Sequence, residues 1–248
     1  MAEFKLPTET VELPSKGLFY PEDSPLASGT VEMKYMTAKE EDILTNTNYL
    51  AKGIAIDKLL ESLLVDKSIN YNELLIGDKN AIMLAARILS YGKDYEFLHR
   101  GEKVTFDLST LGPKPFKEEE VKERKNEFKF VLPLSKNEIT FKILNHQDER
   151  DIEKEVQGLQ KINKDSNPEG STRFKFMITS INGSREAGEI RKFVDGYLLA
   201  KDARALRQYY SEIAPDINFS GQVQTSNGVE EDVSVPIGIT FFWPDADL

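Results

Sequence analysis

The chain contains no cysteine. That absence excludes disulfides and thiolate metal sites, and it suits a reducing compartment. Histidine is almost as scarce. His99 and His146 are the only two, far apart and each in a turn-like setting. A triad or a multi-histidine metal site therefore has little to build on, and both rings are expected at the surface. No apolar run reaches the roughly 20 residues that a membrane-spanning helix needs. The opening MAEFKLPTETVELPSKG lacks the apolar stretch of a secretion signal, so a cytoplasmic protein is expected and no membrane partner. Basic residues are in deficit, 32 against 42 acidic, for a net charge of −10. Binding to a phosphate backbone calls for a basic stripe, so no nucleic-acid partner is expected. Neither a P-loop nor a dinucleotide glycine fingerprint occurs.

Some candidate sites fail on inspection. Asp165, Asn167, Glu169 and Gly170 repeat the spacing of the first calcium ligands of an EF-hand loop, but Pro168 interrupts it. The twelfth position is Phe176, where a bidentate carboxylate belongs. The pairs Glu40-Glu41 and Glu230-Glu231 read as solvated surface, since nothing marks two carboxylates as buried or set apart for acid–base work. No catalytic, metal or cofactor-binding residue is assigned, and an enzyme is not expected.

What is present is an α+β pattern: a helical N-terminal half with short β-hairpins, then a mixed C-terminal half ending in a hairpin. The segment Leu6–Tyr35 holds four prolines and should be extended, with a strand at Thr30–Met36. Thr37 and Glu40 form a capping-box signature. Ile56, Leu59, Leu60, Leu63 and Leu64 recur at helical spacing over Ile54–Val65, with Asp57 expected in a cap or an ion pair. Asp78 is expected to cap a third helix, in which Arg87 needs a carboxylate partner or a route to solvent. Arg100-Gly101 and Asn227-Gly228 mark hairpins. A charged amphipathic helix is expected over Asp148–Ile162, a strand over Arg173–Ile181 with Phe174, Phe176 and Ile178 on one side, and two helices meeting near Ala200–Asp202, the second capped by Asp202. The charged run between Gly112 and Asn126 reads as a boundary, dividing the chain into 1–112, 113–126 and 127–248.

Two apolar segments sit in turn chemistry. Leu13, Leu18, Phe19 and Tyr20 belong to the proline-rich arm, and Phe241, Phe242 and Trp243 precede Pro244 near the other end. Each segment has two readings, packing onto the chain's own core or docking onto a partner.

Read together, the strings LPSKGLFYP, TAKEEDILTNTNYLAKGIAIDKLLESLL, LLIGDKNAIMLAARILSYGKDY, FKFVLPLSKNEITFKIL, KDARALRQYYSEIAPDI and VPIGITFFWPD resemble the baseplate hub and hub-assembly proteins of T-even-type bacteriophages. The likeness is collinear over nearly the whole chain. It implies a late viral protein that works in the host cytoplasm and binds other hub or tail proteins. It implies either an assembly factor that shields a client surface or a permanent subunit of the hub in the virion. The family pattern places CxxC knuckles in the two glycine-centred hairpins. This chain has none there, so those turns must hold by pairing and packing alone.

Overall fold

A computed structural model describes residues 6–165, 167–225 and 228–242. Strand β1 (Thr8–Glu12) pairs antiparallel with β2 (Thr30–Lys34), Val11 opposite Val31. The arm between them is no loose loop. Gly17 has φ +73°, and a Cβ there would lie 2.4 Å from the Ala27 carbonyl oxygen, so only glycine lets the two passes of the arm close on each other. Helix α1 (Ala38–Leu44) starts as its capping box predicts, the Glu40 carboxylate accepting the Thr37 amide at 3.1 Å. Asn46 ends it by capping α2 (Thr47–Ala51), and α3 (Ala55–Leu63) buries Leu59, Leu60 and Leu63 on one face.

Helix α4 (Ile76–Tyr91) is the central rod, and here the expectations need correction. The helix begins three residues earlier than expected, with Leu75 at the cap position and Asp78 inside the first turn. Asp78 is fully buried and serves the arm instead of its own helix. It accepts the Ser15 amide at 2.9 Å and the Tyr20 hydroxyl at 2.6 Å, while that hydroxyl accepts the Leu75 amide at 2.9 Å. Arg87 has neither expected outlet. It is 2% exposed and donates to the carbonyls of Gly92 (2.8 Å) and Asp94 (3.2 Å) from between the rings of Tyr91 and Tyr95. Unsatisfied carbonyls where a helix ends are good acceptors for a guanidinium, which explains how the charge tolerates burial.

Strands β3 (Asp94–His99) and β4 (Glu102–Asp107) turn at Arg100 (φ +50°) and Gly101 (φ +86°), as predicted. The charged stretch from Gly112 to Asn126 holds β5 (Pro113–Lys114) and a 3₁₀ turn at Glu118–Glu120. Pro113 and Pro115 hold the start of this stretch extended. Phe116 lies against Phe19, Arg124 donates to the Ala27 carbonyl, and Asn126 exchanges two hydrogen bonds with Ile143.

Strands β6 (Phe128–Val131) and β7 (Glu138–Phe141) lead to α5 (His146–Ile162) and α6 (Glu169–Met177), then β8 (Ile178–Ile181) adds to β7. Most of the strand expected over Arg173–Ile181 is therefore helix. Phe174 and Phe176 mimic a period of two, but the buried face is Phe174 and Met177, three residues apart, and Glu169 pairs with Arg173 at helical spacing. Helices α7 (Ala187–Gly196) and α8 (Ala200–Ile213) meet where predicted. Asp202, like Asp78, is a buried first-turn residue that does not cap its own helix. Its two oxygens accept the amides of Leu134 (2.7 Å) and Ser135 (3.0 Å) in the β6–β7 turn.

Strand β9 (Asp216–Ile217) pairs with β5, and β10 (Ser220–Gln224) with β11 (Glu230–Ser234). Gly228 at this turn has φ +73°, while Ser226 and Asn227 lie outside the described residues. The last strand ends at Ser234, short of the expectation. Pro236 removes a ladder donor, and the chain goes on to a short helix, α9 (Ile239–Phe242). One hydrophobic core runs from Leu13 to Phe242. Among the described residues no helix is long and apolar enough to cross a membrane.

Removing the Asp78 carboxylate orphans the Ser15 amide and the Tyr20 hydroxyl, so Asp78→Ala should destabilise by about 3 kcal/mol in urea unfolding. Gly77→Ala, whose Cβ would stand 2.0 Å from the Pro215 carbonyl oxygen, should cost about 2 kcal/mol or more. A loss under about 0.5 kcal/mol in both, the range of an unimportant surface change, would contradict this packing.

Candidate functional site

A cleft of about 510 Å³ opens between α3 and α4 on one side and α5 and α6 on the other. At its floor three elements bring ionisable groups together. Asp57 stands in the first turn of α3, Lys79 in the first turns of α4, and His146 at the start of α5. His146 is fixed there because its amide donates to the Leu74 carbonyl at 2.8 Å and Leu75 bridges to Asn145. Lys79 Nζ donates to Asp57 Oδ1 at 2.8 Å and to His146 Nδ1 at 3.1 Å. Since an ammonium only donates, Nδ1 is the acceptor and the imidazole carries its proton on Nε2. Nε2 lies 3.3 Å from Asp57 Oδ2 yet is too poorly aligned for a hydrogen bond. The Tyr71 hydroxyl also donates to Asp57 at 3.2 Å, and its ring meets His146 edge-on at 4.8 Å.

His146 is thus buried, contrary to the surface position expected from its turn-like setting. His99 is half-buried, with Nε2 3.0 Å from Glu231, which also takes Arg100 at 2.8 Å and ties the β3–β4 turn to the final hairpin. The ion pair expected of Asp57 is present. Burial acts to raise the Asp57 carboxyl, but the His146 Nε2–H that faces it at 3.3 Å and the Lys79 ammonium outweigh burial and hold the group well below the usual carboxylate range. Burial pushes the Tyr71 hydroxyl well up, with Asp57 adding to the effect.

The cleft has a slight acidic excess, with Asp57, Glu149, Glu153 and Glu169 against Lys79, Arg150 and Arg173. Glu149 takes a bidentate pair from Arg173 (2.6 and 2.8 Å), beside Asp57 with Lys79. No serine, threonine or cysteine lines it. Among the described residues no group of His, Asp or Glu could hold a metal ion. The arrangement joins the starts of three helices.

The residues proposed for partner contact lie elsewhere. Leu13, Phe19 and Tyr20 are buried in the chain's own core, and Leu18 is half-buried against it. Phe19 packs between the rings of Phe116 and Phe128 at 5.7 and 5.9 Å. Phe241 and Phe242 are fully buried, Phe241 meeting Tyr95 edge-on at 5.2 Å. Trp243 lies outside the described residues. As folded, the placed side chains meet their own chain, because Asp78 and the tight crossing at Gly17 turn the arm inward.

Several apolar residues face solvent, Ile162 and Leu98 most of all, and three of them that the sequence reading did not single out lie close together in the chain's connections. Tyr197 (61% exposed) ends α7, Leu199 (44%) opens α8, and Leu134 (52%) stands in the β6–β7 turn. Asp202 joins that turn to the α7–α8 junction. The available signal is the Leu-x-x-Asp pattern, seen at Leu75–Asp78 and Leu199–Asp202, where an apolar cap residue precedes an acid that serves another segment.

The half-buried Asp57 of α3 and the buried Asp78 of α4 should respond to pH in opposite senses. The native Asp57 carboxyl is depressed, so its contribution is present above its ordinary value of 3.8 and is lost as pH falls through the lower native value. Asp57→Asn should therefore cost about 2 kcal/mol at pH 7, a gap that narrows on acidification in unfolding titrations. Burial raises the Asp78 carboxyl, and Asp216 adds to it, so wild type should gain on Asp78→Asn as pH falls. Parallel pH profiles for both pairs would overturn these assignments. The chain matches no protein-family model, no curated protein and no solved structure.

Proposed function

We propose that this chain is a non-enzymatic phage protein that promotes formation of the central hub of a contractile-tail baseplate by binding other hub subunits in the host cytoplasm. The observation that carries the reading is the collinear likeness from LPSKGLFYP through VPIGITFFWPD.

The mode of action follows from where apolar surface is left. A client cannot meet Leu13, Phe19, Phe241 or Phe242 without unpacking the core, and the apolar faces of α3 and α4 are spent in the same way. Binding therefore takes place on the folded exterior, with the net charge of −10 keeping the free protein dispersed. The runner-up role is a permanent subunit of the hub. Quantitative mass spectrometry of purified mature particles separates the two: an assembly factor is expected to be absent while hub formation fails without it. Stoichiometric recovery from mature tails would make it a structural subunit. Normal hub assembly after deletion would reject both roles.

A further inference from the structure

We infer that the corner formed by the β6–β7 turn and the α7–α8 junction is the docking surface, and that its occupant is a partner segment carrying apolar anchors flanked by carboxylates. The inference rests on the hub-assembly reading for the partner's identity, but not for its chemistry.

Two observations carry it. The first is preorganisation. Asp202 is fully buried, and burial alone would raise its carboxyl, yet the Leu134 and Ser135 amides and the Lys136 charge hold it low. Both of its oxygens are committed to the turn that displays Leu134, so a buried charge ties an exposed leucine to the first turn of α8, the helix that Leu199 opens. Rigid display of a tyrosine and two leucines reduces the ordering cost of binding, and such a centre is typical of a binding hot spot.

The second is charge. Lys136, Lys201 and Arg204 are exposed around this corner. Against them stand the buried Asp202 carboxylate and the exposed Glu138, while Asp195, at the end of α7, is paired with Lys175 at 2.7 Å. The corner is thus locally basic on a chain of net charge −10. An apolar centre with a charged rim has the anatomy of an interface, and the rim selects acidic partners. A second copy meeting this corner through a twofold axis would set lysine against lysine, which disfavours self-association.

The test uses the full chain, labelled with ¹⁵N, and a synthetic amphipathic peptide with leucines on one helical face and glutamates on the other. A version with lysine for every glutamate is the control. The acidic peptide is expected to shift the amides of Ser135, Lys136, Tyr197 and Leu199 and to bind roughly tenfold more tightly than the basic one. K136E/K201E should reverse that preference. L134D/Y197D should weaken binding roughly tenfold or more with the circular dichroism spectrum unchanged. If that variant fails to fold, the charge reversal alone decides. Equal binding of both peptides, shifts confined to other surfaces, or occupation of the corner by a second copy would overturn the inference. Pull-down with each hub subunit distinguishes the two levels. A subunit held equally well by L134D/Y197D would sink the docking surface and leave the hub reading. Peptide docking with no hub subunit captured would do the reverse.

Discussion

The structure depends on one buried carboxylate. Asp78 has no solvent exposure, no cation beside it and Asp216 nearby to repel it, so burial leaves its charge poorly compensated. It is tolerated because the Ser15 amide and the Tyr20 hydroxyl satisfy it, and Tyr20 is itself anchored by the Leu75 amide. Those bonds reach across 55 to 63 residues and stitch the arm to the start of the central helix. Next to it, Gly77 lets the Pro215 backbone come within a distance that any side chain would block. One turn of α4 thus fixes the arm on one side and the approach to the last strands on the other.

The same device recurs at α8, where Asp202 holds the β6–β7 turn. In each case the acid sits in the first helical turn, where the helix dipole favours negative charge, and its oxygens point away to donors in another segment. The difference lies in the surroundings. Lys136 helps to keep Asp202 ionised, whereas Asp78 has only neutral donors and another carboxylate near it. One acid secures a strap that covers the core. The other secures a corner that presents apolar side chains to water. The greasiest stretches of the sequence are thus used internally.

Much of the local structure was legible. The Thr37–Glu40 box, the Leu59–Leu60–Leu63 face, the Arg100-Gly101 turn and the α7–α8 junction follow from capping, periodicity and positive φ, all of which act within a few residues. The misreadings share a cause in tertiary context. Asp78 and Asp202 look like caps because local rules see a helix start and not a distant amide in need of an acceptor. His146 looks exposed because nothing near it in sequence announces Asp57 and Lys79, which arrive from 89 and 67 residues away. Arg87 seems to need an acid until the chain beyond Gly92 turns its carbonyls back. The apolar arm was visible, but the direction it faces is decided by Asp78.

Native-state hydrogen exchange at Ser15 and Leu75 tests the central claim most directly. If the buried carboxylate locks the arm, both amides should exchange only through global unfolding, with a protection free energy equal to the stability measured in urea. Exchange of either amide through a local opening several kcal/mol below that value would mean that the arm lifts on its own, and the account would fail.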